Sequence, residues 1–312
     1  MARRARLKVK DVGAWYHLYS RVAGRAGEYP LAERRSRRKV LELFKFYSSV
    51  YFVRVAGFSV MGNHYHTVVR FNDPFDVERG ELMRRALILY PKESVKLKAW
   101  TAAQWEKFRD RLFDVSEFMR NFQAAFARWF NATHERKGRF WGDRFKSTLL
   151  EDEKAVMDCL LYIELNPVRA GIVERPEDYE GSSVFLREIG ADRWLIPIKE
   201  LMFAKKRSDA LRDYKAAMYY RGNVPSKEGQ RAIPSHVLLR EEARGFTTAG
   251  AYQKRARHFV DGVVIGSEAF VRGHLDLLKE TGGYLRRKNP LKTKWGTAHV
   301  LREQRSTEVF IS

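Results

Sequence analysis

Short alternating stretches of aromatic and β-branched residues open the chain, and longer stretches with a helical period follow. Residues 14–24 are rich in aromatic and branched side chains and stop at Gly24, which predicts a strand. Residues 31–50 place Val40, Leu43, Phe44 and Tyr47 at helical spacing, with Arg34, Arg35, Arg37, Arg38 and Lys39 crowded into the first half. Residues 52–61 and 64–71 read as two strands joined by a turn at Gly62-Asn63, a strong hairpin signal. Residues 72–113 are charged and lack a clean period, so they read as a partly helical insertion. Residues 114–134 form an amphipathic helix with Phe118, Phe122, Phe126, Trp129 and Phe130, capped by Asp114 or Ser116, with Gly138 in the loop behind it. A strand over 139–149 and a helix over 152–165, with Val156, Leu160 and Ile163 on its apolar side, complete the pattern.

The order β-α-β-β, insertion, α-β-α predicts an α+β fold: an antiparallel sheet with helices on one face. The pattern ends near Ser182-Ser183, which gives a first domain over 1–187. Beyond residue 190, helical stretches near 207–220, 237–246, 250–260 and 267–280 alternate with turns at Gly222-Asn223, Gly245 and Gly266. Residues 188–312 therefore read as a mainly α-helical accessory region, and charge and helical content favour DNA binding for it.

Charge changes the picture from fold to partner. The chain has 312 residues, a formal net charge of +21 and a pI near 10.1. Such a balance favours a polyanion, nucleic acid before anionic membrane. A membrane role is disfavoured: the most apolar run, Val50 to Val60, is broken by Arg54 and falls short of a spanning length. The basic N-terminus has no apolar stretch after it, so it does not read as a secretory signal. Cys159 is the single cysteine, which rules out an internal disulfide and suits a reducing compartment.

Two short motifs carry candidate chemistry. In His64-Tyr65-His66, residues two apart on a strand share a face, so two imidazoles can share one divalent ion while Tyr65 points into the core. Imidazoles do not select among such ions. The competing reading is a pair of surface histidines on a half-buried strand. Tyr162 and Asn166 lie four apart, on one helical face. If that face meets the histidine strand, Asn166 offers an amide oxygen as third ligand and Tyr162 sits one turn away. A phenol with a pKa of about 10 is a weak nucleophile unless a cation stabilises its anion. The competing readings are an ordinary amphipathic tyrosine and an asparagine N-cap before Pro167. In either case Pro167 puts Asn166 at a helix boundary.

Basic residues supply candidate DNA contacts. Arg139, Arg144 and Lys146 are interleaved with Phe140, Trp141 and Phe145, which suits a single strand: charge follows the phosphates and a ring such as Trp141 stacks on bases, unless the aromatics are core. Arg34, Arg35 and Arg38 form a phosphate-contacting helix face. Arg3, Arg4 and Arg6 read equally as an arm able to reach into a groove or as a disordered tail.

Three segments in order, Gly62-Asn-His-Tyr-His66, Gly138-Arg-Phe-Trp-Gly-Asp-Arg-Phe-Lys-Ser147 and Tyr162-Ile-Glu-Leu-Asn-Pro-Val-Arg-Ala-Gly171, resemble the REP-associated tyrosine transposases, members of the HUH single-tyrosine transposases. Glu174-Arg-Pro-Glu-Asp-Tyr179 and Ser182-Ser183 extend the resemblance over about residues 10–185. It implies a ferredoxin-like catalytic domain, Mg²⁺ or Mn²⁺, and cleavage of single-stranded DNA near hairpins through a 5′-phosphotyrosine. It assigns His64 and His66 as metal ligands, Asn166 as the third, and Tyr162 as nucleophile. It also implies a cytoplasmic, nucleoid-associated protein, monomeric or homodimeric. Gly62 stands where the family usually has proline, and the insertion and tail lie outside the short family pattern. A DNA-binding regulator that does not cleave is the alternative on the same scaffold.

Overall fold

The computed structural model describes residues 9, 12–24, 27–225, 229–246, 262–280, 291–292 and 299–302. Among them, β1 (Ala14–Arg21), β2 (Val53–Val60), β3 (His64–Phe71) and β4 (Lys146–Leu150) pair antiparallel in the order β2-β3-β1-β4. The Gly62-Asn63 turn closes the β2–β3 hairpin, with the Met61 amide donating to the His64 carbonyl at 2.8 Å. Helix α1 (Arg34–Val50) connects β1 to β2. Residues 72–113 hold α2 (Arg79–Leu89), α3 (Ser94–Lys98) and α4 (Ala102–Leu112), and α5 (Val115–Thr133) leads on to β4. Asp114 caps α5, its carboxylate accepting from the amides of Ser116 and Glu117.

The pleat of β3 sorts the chemistry. Tyr65, Val69 and Phe71 turn to one face and pack on α1 and α5, where Phe44 stacks on Phe122 at 4.3 Å and Tyr65 meets both edge-on at 5.5 Å. Each such pair is worth about 0.5–1.5 kcal/mol beyond its buried area. Leu82, Ala86, Leu97, Trp105 and Phe108 of the insertion join this same core. The insertion therefore stands on the side of the sheet away from His64 and His66.

Helices cover both faces of the sheet, not one as the sequence predicts. Val68 and Leu150 are apolar on the histidine side and need a cover of their own. That cover is α6 (Glu153–Glu164), which buries Leu160, Leu161 and Ile163 against them. Gly57, at a register shift in β2, permits the approach: a Cβ there would lie 2.6 Å from Leu160 Cδ2 and 2.6 Å from Ser183 Oγ. Next come α7 (Asn166–Arg169), α8 (Ser183–Glu188), α9 (Ile198–Leu201), α10 (Arg207–Gly222) and α11 (Ser235–Ala243).

Helices α8 and α10 are both locked to α6 by buried polar groups. The Tyr214 hydroxyl donates to Glu164 Oε2 at 2.7 Å, the Ser183 hydroxyl donates to Glu164 Oε1, and Arg221 Nη1 donates to Asp158 Oδ1 at 2.7 Å. Burial pushes the Glu164 carboxyl up to about 7 and the Asp158 carboxyl up to about 6.

Residues after 188 do not form only helices. β5 (Gly262–Gly266) pairs parallel with β4, α12 (Glu268–Glu280) follows, and β6 (Leu291–Lys292) and β7 (His299–Arg302) extend the sheet beyond β5. The branched run Val263-Val264-Ile265 suits a half-buried pleat, which is why this segment completes the sheet. The helix predicted at 250–260 lies outside the described residues. β4 is also shorter than the predicted 139–149: before Lys146 the chain makes only a single bridge, Trp141 to Val22.

Candidate active site

Pairing register brings one row of side chains together on the sheet face that α6 covers. Tyr19 pairs with His66 and with Lys146, and Arg21 pairs with His64. The two imidazole rings stand 5.1 Å apart and nearly perpendicular, at 88°. The Tyr19 ring lies 4.7 Å from His66 and 5.6 Å from His64, and Lys146 Nζ lies 5.9 Å from the Tyr19 ring. On the opposite face the Tyr65 hydroxyl finds the partner it needs in Gln123, 3.5 Å away, whose amide also donates to Ser20 Oγ at 2.8 Å.

Both histidines have one nitrogen committed. His64 Nδ1 meets Asn63 Oδ1 at 2.7 Å, and His66 Nδ1 meets His17 Nε2 at 2.9 Å. Burial, with Arg21 nearby, pushes His64 down to about 4, and burial beside His17 and His64 holds His66 well below the ordinary histidine range. The rings are therefore neutral at physiological pH, the form in which imidazole binds a metal. His17 escapes a sequence reading because a lone histidine in an aromatic strand carries no motif. Only its place on β1, two residues from Tyr19, hints that it shares this face.

Helix α6 brings Tyr162 to the histidines. Its ring lies 6.0 Å from the His66 ring, edge-on at 84°. The Arg169 guanidinium sits 5.5 Å from the centre of the Tyr162 ring and donates to the Tyr162 carbonyl at 3.2 Å. Asn166 is half-buried and opens α7, one turn after Tyr162; Leu165 both closes α6 and caps α7. The helix boundary expected before Pro167 is present, but Asn166 is not the cap. Among the described residues no group of three or more His, Cys, Asp or Glu is placed to hold an ion. A cation here could take the Nε2 lone pairs of His64 and His66, the ring nitrogens left over by the contacts to Asn63 and His17. Two imidazole nitrogens suit a divalent cation without selecting which one.

Gly62 is closely covered by its surroundings. A Cβ at this position would lie 2.9 Å from the Tyr29 ring, which packs over the turn, and the Gly62 carbonyl accepts from Leu31 at 2.8 Å.

The basic residues divide into separate groups. Lys146 belongs to the site row; Arg139 and Arg144 are exposed. Trp141 is only 7% exposed, donates through Nε1 to the Gln123 carbonyl at 2.9 Å, and packs 5.4 Å from Tyr65 and 5.5 Å from Phe126. It belongs to the core and is no stacking platform, because the aromatic face of α5 claims it. Arg34, Arg35 and Arg38 line a cleft of about 470 Å³ with Lys39, Glu42 and Trp129. Arg35 lies 5.8 Å from the Trp129 ring, and Arg34 pairs with Glu180 at 3.1 Å. Since α1 packs on the Tyr65 side of the sheet, this cleft is separate from the histidine row. Arg3, Arg4 and Arg6 lie outside the described residues.

The fold and site define an α+β protein that sets a tyrosine edge-on beside one of two neighbouring imidazoles. No protein-family profile matches the chain, and no curated protein matches it. Among solved structures it is similar to a REP-associated tyrosine transposase bound to a REP hairpin, with 16% identity, a TM-score of 0.37, and coverage of 63% of this chain and 89% of that chain. A similarity of this size leaves the functional reading to the residues themselves. No helix among the described residues is long and apolar enough to cross a membrane.

Proposed function

We propose that this chain is a metal-dependent single-stranded DNA endonuclease and strand transferase of the single-tyrosine HUH type, acting near DNA hairpins. The observation that carries the reading is Tyr162, held 6.0 Å from His66 on the face where His64 and His66 converge. The connectivity β1-α1-β2-β3-α5-β4, with strand order β2-β3-β1-β4, supports the ferredoxin-like assignment. The net charge of +21 supports a nucleic-acid partner.

His64, His66 and Asn166 would hold Mg²⁺ or Mn²⁺, which when bound supplies electrophilic stabilisation of a phosphate. Tyr162 is the nucleophile. Its phenol proton passes to solvent, its oxygen bonds to phosphorus, and the bond from phosphorus to the 3′-oxygen breaks. The 3′-oxygen takes up a proton and leaves as a hydroxyl, and the 5′-phosphate remains esterified to Tyr162. One phosphoester replaces another, so a second 3′-hydroxyl reverses the step and joins strands without an external energy source. Arg169, lying against the Tyr162 ring and donating to its carbonyl, holds the tyrosine in place. Exposed Arg139 and Arg144 and the Arg34/Arg35/Arg38 cleft offer the phosphate contacts that fix a strand and stem sequence-independently.

The test is a covalent-adduct assay. Wild type and Tyr162→Phe are mixed with labelled single-stranded hairpin DNA from the flanks of the protein's own gene, with Mn²⁺ or Mg²⁺, and resolved on a denaturing gel. A metal-dependent DNA–protein band absent from the variant supports the reading. Cut DNA without a band in either protein identifies water as nucleophile, and tight binding without cutting across several hairpins identifies a regulator.

A further inference from the structure

His17 Nε2 and His66 Nδ1 are 2.9 Å apart, in nearly parallel rings at 15°. His17 is 1% exposed and His66 2%, so water does not compete for the pair. Antiparallel pairing of β1 with β3 holds both side chains on the same face, and the rings of Tyr19 and Tyr162 stand against His66. The ring of His66 is thereby fixed in place.

A hydrogen bond between two neutral imidazoles has two forms. In one, His66 carries its proton on Nδ1 and donates to His17 Nε2, leaving a lone pair on His66 Nε2. In the other, His17 donates and His66 carries its proton on Nε2, where no cation can then bind. We propose that His17 is a positioning residue: it accepts the Nδ1 proton of His66 and so holds His66 in the one tautomer able to ligate a cation. Asn63 does the same for His64 through its amide oxygen, 2.7 Å from Nδ1. A partner of this kind orients a metal-ligating imidazole and raises its basicity. The inference rests on the metal-site reading above.

Two measurements test it, neither using DNA. First, the imidazole nitrogens of ¹⁵N-histidine-labelled, metal-free protein are resolved by NMR. His66 is expected with a protonated Nδ1 and an unprotonated Nε2; the opposite tautomer overturns the proposal, and no variant has to fold for this result. Second, Mn²⁺ binding is titrated calorimetrically for wild type, His17→Gln and His17→Phe, with thermal melting as a folding check. Glutamine retains an acceptor oxygen and is expected within a few-fold of wild type. Phenylalanine retains only ring shape and is expected to weaken Mn²⁺ about 10–100-fold. A purely packing role predicts the reverse order, and equal affinity in wild type and His17→Phe overturns the inference while leaving the metal site standing. Absence of Mn²⁺ binding by folded wild type overturns both.

Discussion

Replacing Glu164 with glutamine probes the helix that carries the proposed nucleophile. The carboxyl is fully buried, accepts from the hydroxyls of Tyr214 and Ser183, and is pushed by burial from an ordinary 4.5 up to about 7. An acid whose folded-state pKa is raised binds more protons folded than unfolded. Its contribution is therefore present at low pH and lost as pH rises from about 4.5 through about 7. A displacement of this size couples to folding by about 3 kcal/mol. Glutamine carries no charge at any pH; its oxygen still accepts from one hydroxyl and its amide donates to the other, at a hydrogen-bond cost of about 1 kcal/mol. At pH 5 the variant should be slightly less stable than wild type. At pH 8, where wild type buries a carboxylate, the variant should be the more stable. Urea unfolding at the two pH values should show the difference between the proteins shifting by about 2–3 kcal/mol in the variant's favour. Asp158, pushed up to about 6, titrates in both proteins and cancels in the difference. A gap that stays constant from pH 5 to pH 8 would refute the reasoning.

Arg221→Met should destabilise the protein by about 3–5 kcal/mol by leaving Asp158 buried without its guanidinium, and adding Asp158→Asn should recover part of that in chemical unfolding. Gly57→Ala should cost about 1–3 kcal/mol, because the new methyl meets Leu160 and Ser183, and should lower adduct yield more than DNA binding by pushing α6 outward. Arg35→Glu combined with Arg38→Glu should weaken hairpin binding uniformly across sequences and flatten its salt dependence, measured by anisotropy at several salt concentrations.

The local signals in the sequence were strong where one face of an element decides its fate. The Gly62-Asn63 hairpin, the phenylalanine stripe of α5 and the apolar side of α6 all follow from period and turn chemistry, and the structure places them within a residue or two of expectation. Convergence of Tyr162 on His66 could be imagined from two spacings but not located, since nothing in either motif says that α6 crosses β3 on the histidine face. That choice is made by Val68 and Leu150, whose burial is a tertiary fact. For Trp141 the sequence favours packing against the long helix over stacking on a base, and the neighbouring Tyr65 and Phe126 bear out the packing. His17 was invisible because its meaning lies in a partner 49 residues away. The strand character of Val263-Val264-Ile265 was masked by the helical stretches around it.

Pairing of β5 with β4 has a consequence during synthesis. Glu151, at the end of β4, receives the hydroxyl of Ser267, 116 residues further along. At about 5–20 residues per second, a ribosome takes about 6–23 s to cover that distance. Throughout that interval the growing chain holds β1, β2, β3 and the core on the Tyr65 face but leaves the far side of β4 as an unpaired edge. Open edges recruit other strands. Nascent chains on neighbouring ribosomes are therefore open to mutual pairing at β4, and slow translation through residues 190–262 lengthens that window.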